Sequence, residues 1–84
     1  MYKIIYTKKA VKALYKYDRI FKDAVETQIY KFLNQEKVIN IKKLKWYENR
    51  YRLRIWKYRV LFEKYEDKLI ILVIDIWSRW DVYK

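Results

Sequence analysis

The chain has 84 residues, with 21 Lys plus Arg against 10 Asp plus Glu, and neither His nor Cys. That length makes one domain, residues 1–84, with a modest core. The absence of Cys excludes disulfides and thiolate metal sites, and the absence of His removes the usual zinc ligand and general base.

The 54% hydrophobic and 20% aromatic content argues against disorder, despite 37% charged residues. The net charge of +11 favours a nucleic acid, or an acidic protein that mimics one, as partner. Residues 1–36 carry 8 basic and 4 acidic side chains, net +4; residues 37–84 carry 13 and 6, net +7. No apolar run is long enough to span a membrane, and LIILVIDI reads as a buried strand. The opening MYKIIYTKKAVKAL lacks the pattern of a signal peptide, so a cytoplasmic protein is expected. No metal or cofactor is expected.

In chain order, Tyr2–Tyr6 reads as a short strand and Thr7 as a cap. Lys8–Tyr17 is predicted helical, with Val11, Leu14 and Tyr15 as its apolar stripe. Asp18 would cap a second helix to about Glu36, with Phe21, Val25, Ile29, Phe32 and Leu33 facing the core. Residues 37–49 read as a connection holding the cluster Lys42, Lys43 and Lys45. Three strands follow, Arg50–Ile55, Tyr58–Tyr65 and Leu69–Ile76. The first alternates with a period of two. The predicted class is α+β, in the order β-α-α-β-β-β, with both helices on one face of a three-stranded antiparallel sheet.

A two-residue turn at Trp56-Lys57 sets Arg54 opposite Arg59 and Arg50 opposite Glu63. Tyr51, Leu53, Ile55, Tyr58, Val60 and Phe62 then share the core face. Arg50, Arg52, Arg54, Arg59 and Leu61 share the other. A three-residue turn at 66–68 would put Leu72, Ile74 and Ile76 in the core and Asp75 near Arg59. Like charges directly across a strand pair are unfavourable. A polyanion bound on this face accounts for the Arg54–Arg59 pairing; a solvated face relieved by Glu63 and Asp75 is the plainer structural reading.

The order of elements resembles the RelE/ParE toxin superfamily of bacterial type II toxin–antitoxin systems. YKIIYTKKAVKAL, Lys43-Leu44, YRLR at 51–54, KYRVLF at 57–62 and SRWDVYK at 78–84 carry the resemblance. The ending is similar to the RelE-type mRNA interferases, which cut mRNA in the ribosomal A site. The resemblance implies catalytic roles for Arg59, Arg79 and Tyr83. Arg59 would stabilise charge on the scissile phosphate. Arg79 would contact that phosphate or help protonate the leaving oxygen. Tyr83 would orient or deprotonate the attacking 2′-hydroxyl, or stack on a base. Arg50, Arg52, Arg54, Lys42, Lys43 and Lys45 would hold RNA. A cognate antitoxin, mRNA in the A site and ribosomal RNA are the implied partners.

The residues themselves agree with such chemistry. RNA supplies its own nucleophile, so the protein mainly positions the substrate and stabilises charge. Two other functions fit the same chain: a ParE-type inhibitor of DNA gyrase and a non-catalytic basic nucleic-acid-binding module.

Gly and Pro are both absent, and Trp46, Trp56, Trp77 and Trp80 stand where members of the superfamily commonly carry Gly. One reading is that Trp replaces Gly, through UGA codons or by deliberate engineering, with misplaced bulk at positive φ. The other is that these rings stack on bases.

Overall fold

The structure, a computed structural model, describes residues 1–17 and 19–78. Arg79, Tyr83, Trp80 and the expected cap Asp18 therefore lie outside the described residues. Strand β1 (Lys3–Tyr6) leads into helices α1 (Lys8–Leu14) and α2 (Arg19–Leu33). Four strands follow: β2 (Ile41–Lys43), β3 (Arg50–Ile55), β4 (Tyr58–Tyr65) and β5 (Ile70–Ser78). The α+β class and the element order agree with the sequence reading. The sheet, however, has five strands among the described residues, in the order β1-β5-β4-β3-β2.

The two added strands have physical reasons. β1 pairs in parallel with β5, Lys3 facing Ile70 and Tyr6 facing Val73. β2 lies within the segment expected as a connection. It pairs antiparallel with β3, Lys42 opposite Arg52 and Lys43 opposite Tyr51. A three-residue edge strand carries too little alternation to be seen in sequence.

Helix α1 is shorter than expected. Thr7 caps it, its hydroxyl accepting from Ala10 N at 3.1 Å. It ends in tight turns, Lys16 N to Ala13 O and Tyr17 N to Leu14 O. The expected stripe is also corrected. Ala10 is the fully buried residue, while Val11 is exposed and Tyr15 is 84% exposed. In α2 the expected Phe21, Val25 and Ile29 are buried, with Phe32 and Leu33 packed against them.

The chain makes its left-handed turns without Gly. Positive φ falls at Gln35 (62°), Trp56 (53°) and Leu69 (54°). Gln35 ends α2: Glu36 N bonds Lys31 O at 3.0 Å and Gln35 N bonds Phe32 O at 3.1 Å, a Schellman closure. Trp56 therefore does occupy a position that suits Gly. Trp46 has no positive φ and Trp77 lies inside β5, so the backbone demands no Gly at either.

The β3–β4 register is as predicted: Ile55 faces Tyr58, Arg54 faces Arg59 and Arg50 faces Glu63. Leu53, Ile55, Val60 and Phe62 are buried against α2. The β5 register differs. The turn spans 66–69, one residue longer than expected, and Phe62 faces Val73. Leu61 then faces Asp75, so Ile74 is skipped as a bulge. Ile71, Val73 and Ile76 are the buried residues; Leu72 and Ile74, expected in the core, are only half-buried. Thr7 holds the bulge, its hydroxyl donating to Ile74 O at 2.6 Å.

Candidate nucleic-acid interface

The pleat of β3 and β4 aims alternate side chains away from the helices. Two cross-strand rows result. One runs Lys42, Arg52, Leu61, Asp75 across β2 to β5. The next runs Arg54, Arg59, Trp77 across β3 to β5. The face opposite the core therefore gathers Arg52, Arg54 and Arg59, as the alternation implied, and β2 adds Lys42, which was expected in a connection.

The expected neighbour of Arg59 is corrected. The longer turn at 66–69 and the bulge at Ile74 each shift the register by one residue, and together they move Asp75 opposite Leu61 and place Trp77 opposite Arg59. Asp75 instead meets Lys9 at 3.2 Å and accepts from Ile76 N at 2.8 Å. No ion pair or hydrogen bond links Arg54 or Arg59 to an acid among the described residues.

Arg50 behaves differently from the other arginines. Its Nη2 and Nε bond the same Glu63 oxygen at 2.6 and 3.0 Å, and its guanidinium lies 4.3 Å from the centroid of the Tyr47 ring. Tyr65 donates to the second Glu63 oxygen at 2.6 Å. Burial pushes the Glu63 carboxyl up, but the hydrogen bonds from Tyr65 and Arg50 outweigh it and hold the group below its ordinary range. The bond to Glu63 raises Arg50 further above its already high value. Arg50 is thus an internal brace, with its charge matched inside the sheet.

The lysine cluster divides. Lys42 joins the open face beside Arg52. Lys43 and Lys45 line a separate hollow with Leu44, Trp46, Tyr47 and Glu48. Lys42, Arg52 and Arg54 close a cavity of about 230 Å³ with Ile39 and Asn40. Arg52 Nε is itself buried, with no hydrogen-bond partner among the described residues. Three cationic side chains around one cavity suit an anionic oxygen.

Ile39 and Asn40 were not anticipated. Asn40 O takes the amide of Arg54 at 2.9 Å, extending the β2–β3 pairing past Ile41. The one signal was apolar alternation at Ile39 and Ile41, too short to separate from a loop. No group of three or more acidic or metal-ligating side chains is placed to hold a metal among the described residues. No helix among them is long and apolar enough to cross a membrane.

The fold is similar to solved toxins. The RelE-containing RelB–RelE antitoxin–toxin complex from Methanococcus jannaschii matches at 26% identity and a TM-score of 0.68, covering 94% of each chain. The RelE–RelB complex from Pyrococcus horikoshii OT3 matches at 24% and 0.71, covering 93% of this chain and 94% of that one. The isolated E. coli RelE toxin matches at 18% and 0.73, covering 99% and 92%. A search of curated proteins gives no match. A model of the ParE toxin of type II toxin–antitoxin systems, parDE, matches residues 4–83, nearly the whole sequence. The chain therefore belongs to the RelE/ParE superfamily of toxins of type II toxin–antitoxin systems.

Proposed function

We propose that this toxin is a ribosome-dependent, metal-independent endoribonuclease that cleaves mRNA by attack of a 2′-hydroxyl on the adjacent phosphate. The observation that carries the reading is the open sheet face, where Arg54 and Arg59 stand opposite each other with no carboxylate partner among the described residues, beside Lys42 and Arg52. Such an array costs stability in the free protein and is relieved by phosphate oxygens.

In this reading Lys42, Arg52 and Arg54 hold the RNA backbone. Arg59 stabilises the charge that develops on the scissile phosphate. Arg79 and Tyr83 complete the site from the chain end, as the family pattern implies. Arg79 contacts the phosphate or aids the leaving oxygen. Tyr83 orients or deprotonates the 2′-hydroxyl, or stacks on a base. A phenol and guanidinium are poor proton carriers at neutral pH, so the ribosome supplies much of the alignment. A cognate antitoxin, acidic or helical, covers the basic face and silences it; the similar structures that contain RelB favour this partner.

The family match to ParE favours a second reading, inhibition of DNA gyrase by the same fold. One experiment separates them. Single-turnover cleavage of mRNA in programmed ribosomes is expected for the unmodified protein and lost in Arg59→Ala, Arg79→Ala and Tyr83→Phe. Full-rate cleavage by these variants removes the proposed site. No cleavage by the parent, with blocked gyrase supercoiling, assigns the protein to the gyrase-directed reading.

A further inference from the structure

Trp46 is 87% exposed and Tyr47 is 47% exposed, side by side in the loop between β2 and β3. A large aromatic ring at the surface gains free energy when a partner covers it. The loop holding it is braced. Leu44 N bonds Arg50 O at 2.8 Å and Tyr47 N bonds Leu44 O at 3.3 Å. The Arg50 guanidinium packs on Tyr47 while both its bonds to Glu63 anchor it to β4. Trp46 is therefore presented by a fixed turn, which lowers the ordering cost of any contact it makes.

The surroundings say what kind of contact. Lys43 and Lys45 are exposed and share with Trp46 a hollow of about 480 Å³. Among the described residues Glu48 is the one acid lining it, leaving a positive balance. An aromatic face between cations suits single-stranded nucleic acid, where bases stack and phosphates find lysines.

From this we propose that the loop 44–49 is a second RNA contact, in which Trp46 stacks on an unpaired base and Lys43 and Lys45 meet the neighbouring phosphates. The proposal rests on the nuclease reading for its biological setting, but it concerns a surface distinct from the Arg52, Arg54 and Arg59 face. Tyr47 is a positioning residue, fixed by Arg50. The unpaired base comes either from the message or from ribosomal RNA.

The test is binding, so it does not depend on cleavage. Affinity for short single-stranded RNA is measured for the parent, Trp46→Ala and Trp46→Phe, with thermal unfolding as a control for fold. Trp46→Ala is expected to weaken binding roughly 5- to 150-fold, the range for losing one stacked base, while Trp46→Phe keeps most of it. Lys43→Ala and Lys45→Ala should each flatten the salt dependence by about 0.7 in the log–log slope. Unchanged binding by Trp46→Ala overturns the proposal, even if the parent cleaves mRNA. A penalty on vacant ribosomes assigns the base to ribosomal RNA; a penalty confined to programmed ribosomes assigns it to the message. Intact RNA binding by Trp46→Ala with lost affinity for the antitoxin also overturns it, and gives the surface to a protein partner.

Discussion

Arg54 and Arg59 occupy directly opposed positions on β3 and β4, and neither has a carboxylate partner among the described residues. Cross-strand like charges destabilise a sheet by roughly 0.2–1 kcal/mol. Removing one should relieve the free protein while harming its work. Arg59→Ala is thus expected to unfold at an equal or slightly higher temperature than the parent. Its single-turnover cleavage on ribosomes should fall by about 2.7–4 kcal/mol of transition-state stabilisation, the loss seen when one preorganised charge-stabilising donor is deleted. A thermal melt and a cleavage time course on the same sample check both halves.

Thr7 joins the start of α1 to the bulge in β5, accepting from Ala10 N and donating to Ile74 O. Thr7→Val keeps the shape and deletes both bonds. Loss of a cap costs about 1 kcal/mol and an unmet half-buried carbonyl adds up to a similar amount. The expected destabilisation is about 1–2 kcal/mol, with Thr7→Ser nearly neutral, measured by urea unfolding.

Gln35 and Leu69 carry left-handed φ in a chain with no Gly. Holding a non-Gly residue there costs about 1–2 kcal/mol, partly offset by the larger unfolded-state entropy of Gly. Gln35→Gly and Leu69→Gly should each stabilise by roughly 0.5–1 kcal/mol by the same bookkeeping. Trp56→Gly should gain less, because the Trp56 ring also packs on Phe21 at 5.8 Å between centroids. Differential scanning calorimetry of the three variants would rank them.

The pH dependence follows from two groups shifted in opposite senses. Glu63 sits below its ordinary value in the fold, so its stabilisation is complete at neutral pH and drains away as acid protonates it, below about pH 4. Tyr6 is raised by burial and by its hydrogen bond to Glu26, so its contribution is lost in alkali above about pH 10, where the unfolded phenol ionises first. Glu63→Gln should be less stable at neutral pH and show a flatter acid limb. Tyr6→Phe should show a flatter alkaline limb. Unfolding free energies across the pH range check both signs.

The open arginine face was legible in the sequence because its causes are local. A period of two in Arg50–Ile55 and a two-residue turn at Trp56-Lys57 couple β3 to β4 with no help from the rest of the chain. The apolar spacing of Phe21, Val25 and Ile29 determined the buried side of α2 in the same way. What tertiary structure decided is non-local. The phase of β5 depends on the 66–69 turn and on a bulge that Thr7 holds from 67 residues away, and the two together moved Asp75 from Arg59 to Lys9. The pairing of β1 with β5 joins the two ends of the described fold, a choice that no local pattern encodes. The arginines and lysines, alike in charge, were sorted by their neighbours. Glu63 engaged Arg50, β2 carried Lys42 to the open face, and the loop kept Lys43 and Lys45 beside Trp46. Charge is a property of sequence, but whether a charge is free to meet a ligand depends on which partner the fold brings within reach.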